Sequence, residues 1–371
     1  MKNLNKANIP TLSVDECVGT LSELYVSAIN NGIAFKWIPS LMLWGPPGVG
    51  KSQAIRQVAI QIEKMTGKKC NVTDVRLLLF NPIDLRGIPT ANAEKTLAIW
   101  LKPQIFQMNE DSSTVNILFL DEISAAPQSV QAAAYQITLD RIIGEHKLPD
   151  NCIVIAAGNR ITDKSVAFKM PKALANRLCH MEIESNFDSW QRWAVAGGIS
   201  PKVVGFLSFR QDYLIENGNA GDDLAFPTPR SWEMVSNVLK LHNDNIEKSY
   251  SLICGLVGTG VAVEFSSWCR IFATLPKIED IFKGRASTVP KNTDALYALV
   301  SSMTAYAREH KDNIYELENS IRYAMLLPSD FSFVLMKNYM VMDEGMDKKL
   351  MKIPAFTKWL NEKGKYLNGN R

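Results

Sequence analysis

The sequence predicts an α/β region followed by an all-helical one, on three observations. Short apolar runs alternate with helix-period stretches through the first half of the chain. The alternation stops near residue 186. From there to the end only helical periodicity is visible. The apolar runs lie at 41–44, 72–79, 117–120, 153–157 and around 180–183. Each is short and bounded by turn or polar residues, the pattern of parallel strands buried on both faces. The stretches 53–65 and 128–138 read as helices between them, which implies right-handed crossovers.

Beyond residue 186, the stretches 187–196, 201–209, 229–241 and 260–275 read as helices. Charged and small residues gather at 277–294, with Pro290 among them, and read as a linker before a last helical segment at 295–366. A length of 371 residues suits two or three domains, and 46% hydrophobic with 21% charged residues is ordinary for a globular chain with a sizeable core. The net charge of +3 gives no argument for a nucleic-acid or membrane partner.

The opening residues Met1-Lys2-Asn3-Leu4-Asn5-Lys6 lack the apolar segment of a signal peptide. No apolar run reaches the ~18 residues that span a bilayer, so the expectation is a cytoplasmic protein without membrane insertion. The six cysteines are scattered with no CxxC pair, which reads as buried, reduced thiols. The four histidines are equally dispersed and suggest no metal site.

The chemistry is concentrated in a few segments. Gly45-Pro46-Pro47-Gly48-Val49-Gly50-Lys51-Ser52 fits G-x-x-x-x-G-K-[ST] between an apolar strand and a helix free of Pro and Gly. Glycines let the backbone curl so that several N–H groups face one point, and the helix adds its positive N-terminal end, so phosphates settle there. Lys51 reaches the outer phosphates and Ser52 places its hydroxyl on Mg²⁺. The strand Asn116-Ile117-Leu118-Phe119-Leu120 ends in Asp121 and Glu122. Paired carboxylates at a buried strand end are costly unless a cation or water needs them. Asp121 then holds Mg²⁺ and Glu122 orients the attacking water; the alternative is a surface strand end with solvated acids. A further apolar strand ends in Asn159, either a γ-phosphate and water contact or a turn former. Arg177 and Arg230 could each stabilise charge on transferring phosphoryl oxygens, or form structural ion pairs. Thr228 and Pro229 read as the N-cap and first residue of the helix that carries Arg230.

Together these segments resemble AAA+ ATPases of the MoxR-like branch, over most of the chain and in the family's motif order. They are GPPGVGKS at 45–52, NPIDLRGIPT at 81–90, ILFLDEIS at 117–124, RIIGEHKLPDNCIVIAAGNR at 141–160, MPKALANRL at 170–178 and FPTPRSWE at 226–233. Segment 87–103, with Ile99-Trp100-Leu101, resembles the family's hairpin inserted in the second helix, and 141–150 the hairpin before sensor 1. By that resemblance Asp121 and Glu122 are Walker B, Asn159 is sensor 1, Arg177 the arginine finger and Arg230 sensor 2. The implied nucleotide contacts run from Gly45 through Gln53. The implied fold is an AAA+ α/β core, 1–186, with a five-stranded parallel sheet in order 5-1-4-3-2. A helical lid, 187–276, and a helical C-terminal extension, 277–371, follow it.

The resemblance further implies a hexameric homo-oligomer in which Arg177 acts on the neighbour's nucleotide. It also implies a partner with a von Willebrand factor A-type domain, and ATP hydrolysis that remodels or matures a target protein. Trp100 is a candidate for target contact or for subunit packing. The run 322–356 is similar to the C-terminal region of one MoxR-like subgroup. The tail 346–371 carries seven basic residues against Asp347 and Glu362, which reads as a solvated helix face or a docking surface for an acidic partner. Two other readings remain. A nucleic-acid-remodelling AAA+ motor lacks support from a basic stripe interleaved with aromatics. A nucleotide-switched scaffold is opposed by the intact Asp121, Glu122, Asn159 and Arg177. The motifs do not separate ATP from GTP.

Overall fold

The apolar runs become strands of one sheet because both of its faces are covered. The structure is a computed structural model that describes residues 9–160, 170, 172–215 and 224–363. The chain divides into two compact units, residues 1–186 and 187–371.

In the first unit the described residues form a six-stranded parallel sheet. Its strands are β1 (Thr11–Leu12), β2 (Leu41–Trp44), β3 (Lys69–Arg76), β4 (Thr114–Asp121), β5 (Cys152–Gly158) and β6 (Cys179–Ile183). They lie in the order β1-β6-β2-β5-β4-β3, with every neighbouring pair parallel. The expectation of five strands is corrected by β1, which adds an edge beside β6. Two residues are too short to register as an apolar run; β1 is held through backbone bonds from Glu182 N to Pro10 O (2.9 Å) and from Glu184 N to Leu12 O (3.0 Å).

A second correction concerns β3. It occupies Lys69–Arg76 rather than 72–79, and Leu77–Leu79 form a 3-10 turn in which Leu77 is buried while Leu78 and Leu79 are exposed. As the opposite edge strand, β3 is covered only in part. Its apolar residues Cys70, Val72 and Val75 are separated by polar ones, and apolar runs report burial rather than strand geometry.

Within β4, successive residues serve opposite faces. Ile117 and Phe119 pack with Leu21, Tyr25, Ile55 and Val58 of helices Val14–Asn30 and Lys51–Thr66. Leu118 and Leu120 pack with Val130, Ala134 and Ile137 of helix Gln128–Asp140 and with Phe106. Each such side chain stabilises the fold by about 1.5–3 kcal/mol. The helix Val14–Asn30 begins on a capping box in which Ser13 and Glu16 satisfy each other's backbone N–H groups. Two antiparallel hairpins interrupt the unit, Ile88–Ala91 with Ala98–Leu101 and Ile142–Ile143 with His146–Lys147. A hydrogen bond of 2.8 Å between His146 Nε2 and the Trp100 carbonyl joins them.

The second unit is helical, and a single core runs through it from Trp190 to Trp359. Its helices begin with Phe187–Ala196, Pro201–Phe209, Pro229–Leu241, Ile246–Val257 and Thr259–Cys269. The helix expected at 260–275 ends at Cys269 and continues as a 3-10 turn, Arg270–Thr274. The expected linker at 277–294 contains a short helix, Ile278–Phe282, because Ile281 and Phe282 are buried in the core despite their charged neighbours. The last segment comprises Thr293–Glu309, Ile314–Ala324, Ser329–Val341, Met346–Leu350 and Pro354–Lys363. Helix Thr293–Glu309 packs on Pro201–Phe209.

All six cysteines are free. Burial pushes the Cys17 thiol up to about 12 and the Cys152 thiol up to about 11, so both are protonated and unreactive near neutral pH. Among the described residues no helix is long and apolar enough to cross a membrane.

The continuity of the helical core gives a test. Trp359 is fully buried, and its indole N–H donates to Ser332 Oγ at 2.8 Å. Trp359→Ala is expected to cost about 3–5 kcal/mol of unfolding free energy, read by chemical denaturation of the whole chain. A change confined to fraying of the last helix, with the main transition unmoved, would show that Pro354–Lys363 is an appendage.

Candidate functional site

The carboxyl ends of β2, β4 and β5 converge on one group of polar side chains. β2 ends at Trp44 and passes into the glycine-rich loop. Gly45 has φ 155°, and a Cβ built there would lie 2.5 Å from the Ile183 carbonyl oxygen, so a side chain cannot be accommodated. Gly50, in the left-handed region at φ 108°, opens helix Lys51–Thr66, and its carbonyl accepts from Ala54 N at 2.8 Å.

Lys51 is 8% exposed. Its Nζ donates to the Gly45 carbonyl at 2.6 Å, the Pro46 carbonyl at 3.0 Å and Asn159 Oδ1 at 2.9 Å. A buried ammonium is tolerated only with such a set of acceptors. Next along the helix, Ser52 Oγ donates to Asp121 Oδ2 at 2.9 Å. Asp121 Oδ1 in turn accepts from Glu122 N at 2.8 Å. Hydrogen bonds therefore bring together Lys51, Ser52, Asp121 and Asn159 from three separate segments.

Glu122 sits at φ 59°, a left-handed conformation that costs a non-glycine residue about 1–3 kcal/mol. The turn after it holds it there: Ala125 N and Ala126 N both donate to the Glu122 carbonyl, and Gln131 Nε2 donates to the Ala126 carbonyl at 2.9 Å. Ser124, buried in the same turn, accepts from Asn159 N through Oγ at 2.9 Å, while Ile123 N donates to the Ala157 carbonyl. The turn that carries Glu122 and the strand end that carries Asn159 are thus locked to each other.

Among the described residues no hydrogen bond joins the remaining expected residues to this network. Gln53 is exposed in the first turn of helix Lys51–Thr66. Arg177 is exposed in the turn between the short helix Lys172–Ala175 and β6. Arg230 belongs to the helical unit, exposed in the first turn of Pro229–Leu241, where Thr228 and Ser231 form a capping box. The expectations for Met170 and Asn176 fall on described residues, whereas Pro171 in the same motif lies outside them.

Three residues at the site carried no signal in the sequence reading. Ser124 and Gln131 act through buried hydrogen bonds that only the folded turn creates. Asp74 lies on β3, and its carboxyl is pushed above the usual range, first by burial and then by the Asp121 carboxylate, against the pull of Arg76 and Arg56. Its strand, which mixes polar and apolar residues, offered no motif.

Residues 41–185 match the family described as "ATPase family associated with various cellular activities (AAA)". These residues form an AAA ATPase family domain. No curated protein matches the chain. Among solved structures, the chain is similar to a point mutant of RuvB from Thermotoga maritima, at 15% identity over 80% of this chain and 86% of that one, with a TM-score of 0.35. It is also similar to NtrX from Brucella abortus, at 13% identity over 90% of this chain and 67% of that one, again with a TM-score of 0.35. Likenesses this low carry no functional argument.

The side chains of the AAA domain suit a magnesium nucleotide. Ser52 and Asp121 place a hydroxyl and a carboxylate oxygen side by side, the hard donors that Mg²⁺ takes. Among the described residues no cluster of three or more His, Cys, Asp or Glu could hold a metal unaided. Phosphate oxygens would have to complete the shell, as is usual for Mg²⁺.

Lys51→Ala removes the charge at the centre of the AAA domain's network, and binding of Mg-ATP by the folded variant is expected to vanish in calorimetry. Ser124→Ala leaves the half-buried Asn159 N–H without its acceptor, and a loss of about 1–3 kcal/mol in unfolding free energy is expected. An unchanged denaturation midpoint would show that the Ser124 bond holds nothing in place.

Proposed function

We propose that the chain is a MoxR-like AAA+ ATPase that hydrolyses Mg-ATP to remodel or mature a target protein or complex. The observation that carries this reading is the hydrogen-bonded set Lys51–Asn159 and Ser52–Asp121, with Glu122 in the adjoining turn. The three parts that phosphoryl transfer to water requires are adjacent: a phosphate cradle, a cation site and a water-orienting acid.

In this reading the loop from Gly45 to Ser52 binds the phosphates and Lys51 lies along the outer ones. Ser52 and Asp121 would hold Mg²⁺, which would supply charge neutralisation to the phosphates when bound. Glu122 orients and polarises the attacking water, and Asn159 contacts both that water and the γ-phosphate. Arg177, exposed on its turn, acts on the nucleotide of a neighbouring subunit in a hexameric ring. Arg230 acts from the helical unit as sensor 2.

Residues 187–276 serve as lid and 277–371 as extension. The single core that runs through both supports their moving as one body. A partner with a von Willebrand factor A-type domain and a cytoplasmic location belong to the same proposal. The partner rests on the motif resemblance alone; the location rests on the scattered, unpaired cysteines.

Glu122→Gln is expected to bind ATP with near-normal affinity and to lose turnover by roughly a hundredfold or more. Single-turnover hydrolysis and nucleotide retention measure both. Arg177→Ala should also bind ATP and fail to hydrolyse it. Mixing Arg177→Ala with Lys51→Ala subunits should restore activity, since a Lys51→Ala subunit still presents Arg177 to its neighbour. Hydrolysis by Arg177→Ala alone at the unmodified rate would sink the shared-site assignment. Isolation of proteins retained by tagged Glu122→Gln in ATP would identify the target.

A further inference from the structure

β6 carries its polar residues on one face. Cys179, Met181 and Ile183 pack toward the core shared with helices Val14–Asn30 and Lys51–Thr66. His180 and Glu182 alternate with them and point to the other side of the sheet. Each is engaged by a residue that flanks the candidate active site.

His180 is bonded through both ring nitrogens. The Trp44 indole N–H donates to Nδ1 at 2.9 Å, and the two rings stack with centroids 6.0 Å apart and planes at 17°. An indole can only donate, so Nδ1 is the acceptor. The proton of the neutral ring therefore sits on Nε2, which donates to the Ala175 carbonyl at 2.7 Å. Trp44 is the last residue of β2, immediately before Gly45, whose carbonyl holds Lys51 Nζ. Ala175 closes the short helix Lys172–Ala175, two residues before Arg177. One imidazole thus spans from the start of the phosphate loop to the turn that presents Arg177. In parallel, buried Glu182 pairs with Arg160, the residue after Asn159.

We propose that His180 is a positioning residue that couples the nucleotide loop of a subunit to the Arg177 it offers its neighbour, an inference that rests on the reading of Arg177 as a finger acting in trans. The coupling is mechanical. Any shift of Trp44 as the loop closes on phosphate moves the acceptor face of the imidazole, and its donor face moves the carbonyl of Ala175. The neutral tautomer is needed because only it accepts at Nδ1 while donating at Nε2. Nucleotide occupancy in one subunit is thereby transmitted to hydrolysis in the next.

The test uses the full chain and subunit mixing. His180→Ala keeps Lys51, Ser52, Asp121, Glu122 and Asn159, so its affinity for Mg-ATP should stay near that of the unmodified protein while turnover falls roughly tenfold or more. Mixed with Glu122→Gln subunits, which hold ATP without hydrolysing it and so supply a correctly held Arg177, the sites of His180→Ala subunits should regain several-fold turnover. A defect confined to the local packing of β2 and β6 would not be relieved by a neighbour. Trp44→Phe removes the indole N–H while keeping one aromatic ring; it should show the same pattern more weakly, and it serves if His180→Ala fails to fold.

Unmodified turnover by folded His180→Ala overturns the coupling. So does a mixture without recovery when Arg177→Ala mixed with Glu122→Gln does recover. If neither mixture recovers, the trans assignment of Arg177 fails, and the coupling falls with it.

Discussion

The ammonium of Lys51 is the constraint on which the site depends. At 8% exposure it has given up most of its hydration, and three oxygens replace the lost water: two loop carbonyls and the amide oxygen of Asn159. Phosphate oxygens that reach Lys51 join or exchange with these acceptors, and Asn159 Oδ1 is one of them. Ligand arrival at Lys51 is thereby linked to Asn159.

That linkage would be loose if Asn159 could drift. It cannot, because its backbone N–H is bound to Ser124 Oγ and the preceding strand is flanked by β2 and β4. Ser124 belongs to the turn that forces Glu122 into the left-handed region. The strain is held by the backbone bonds from Ala125 and Ala126 and by Gln131 behind them. The acid pair, the amide and the lysine thus act as one hydrogen-bonded body. It is anchored in a sheet whose strands are parallel and so deliver their carboxyl ends to one edge.

Much of this was legible in the sequence, for reasons that also mark the limits. The loop from Gly45 to Ser52 is readable because phosphate binding demands glycines and a lysine in fixed order along contiguous chain. The central strands are readable because coverage on both faces makes them apolar at every position. The edge strands β1 and β3 are not: one is two residues long, and the other is only partly covered and mixes polar with apolar residues. Ser124 escaped because its bond to Asn159 joins distant segments, Gln131 because its bond to Ala126 exists only in the folded turn, and Asp74 because its environment is set by burial and by Asp121 on the neighbouring strand. Ile281 and Phe282 were masked by the charges around them, although burial of two large side chains outweighs a charged neighbourhood.

The polar face of β6 follows the same logic. Placing an imidazole and a carboxylate on an inner strand is unfavourable unless partners are supplied, since each bare polar group costs about 1–3 kcal/mol on burial. Residues with no task beyond filling space would be expected there to resemble Leu43 or Val154. Instead the strand keeps His180 and Glu182, and their partners are Trp44, Ala175 and Arg160 rather than one another. Two of these three stand next to Gly45 and Asn159 in the chain, and the third stands two residues before Arg177. A strand that served only to close the sheet would have no reason to choose partners so placed.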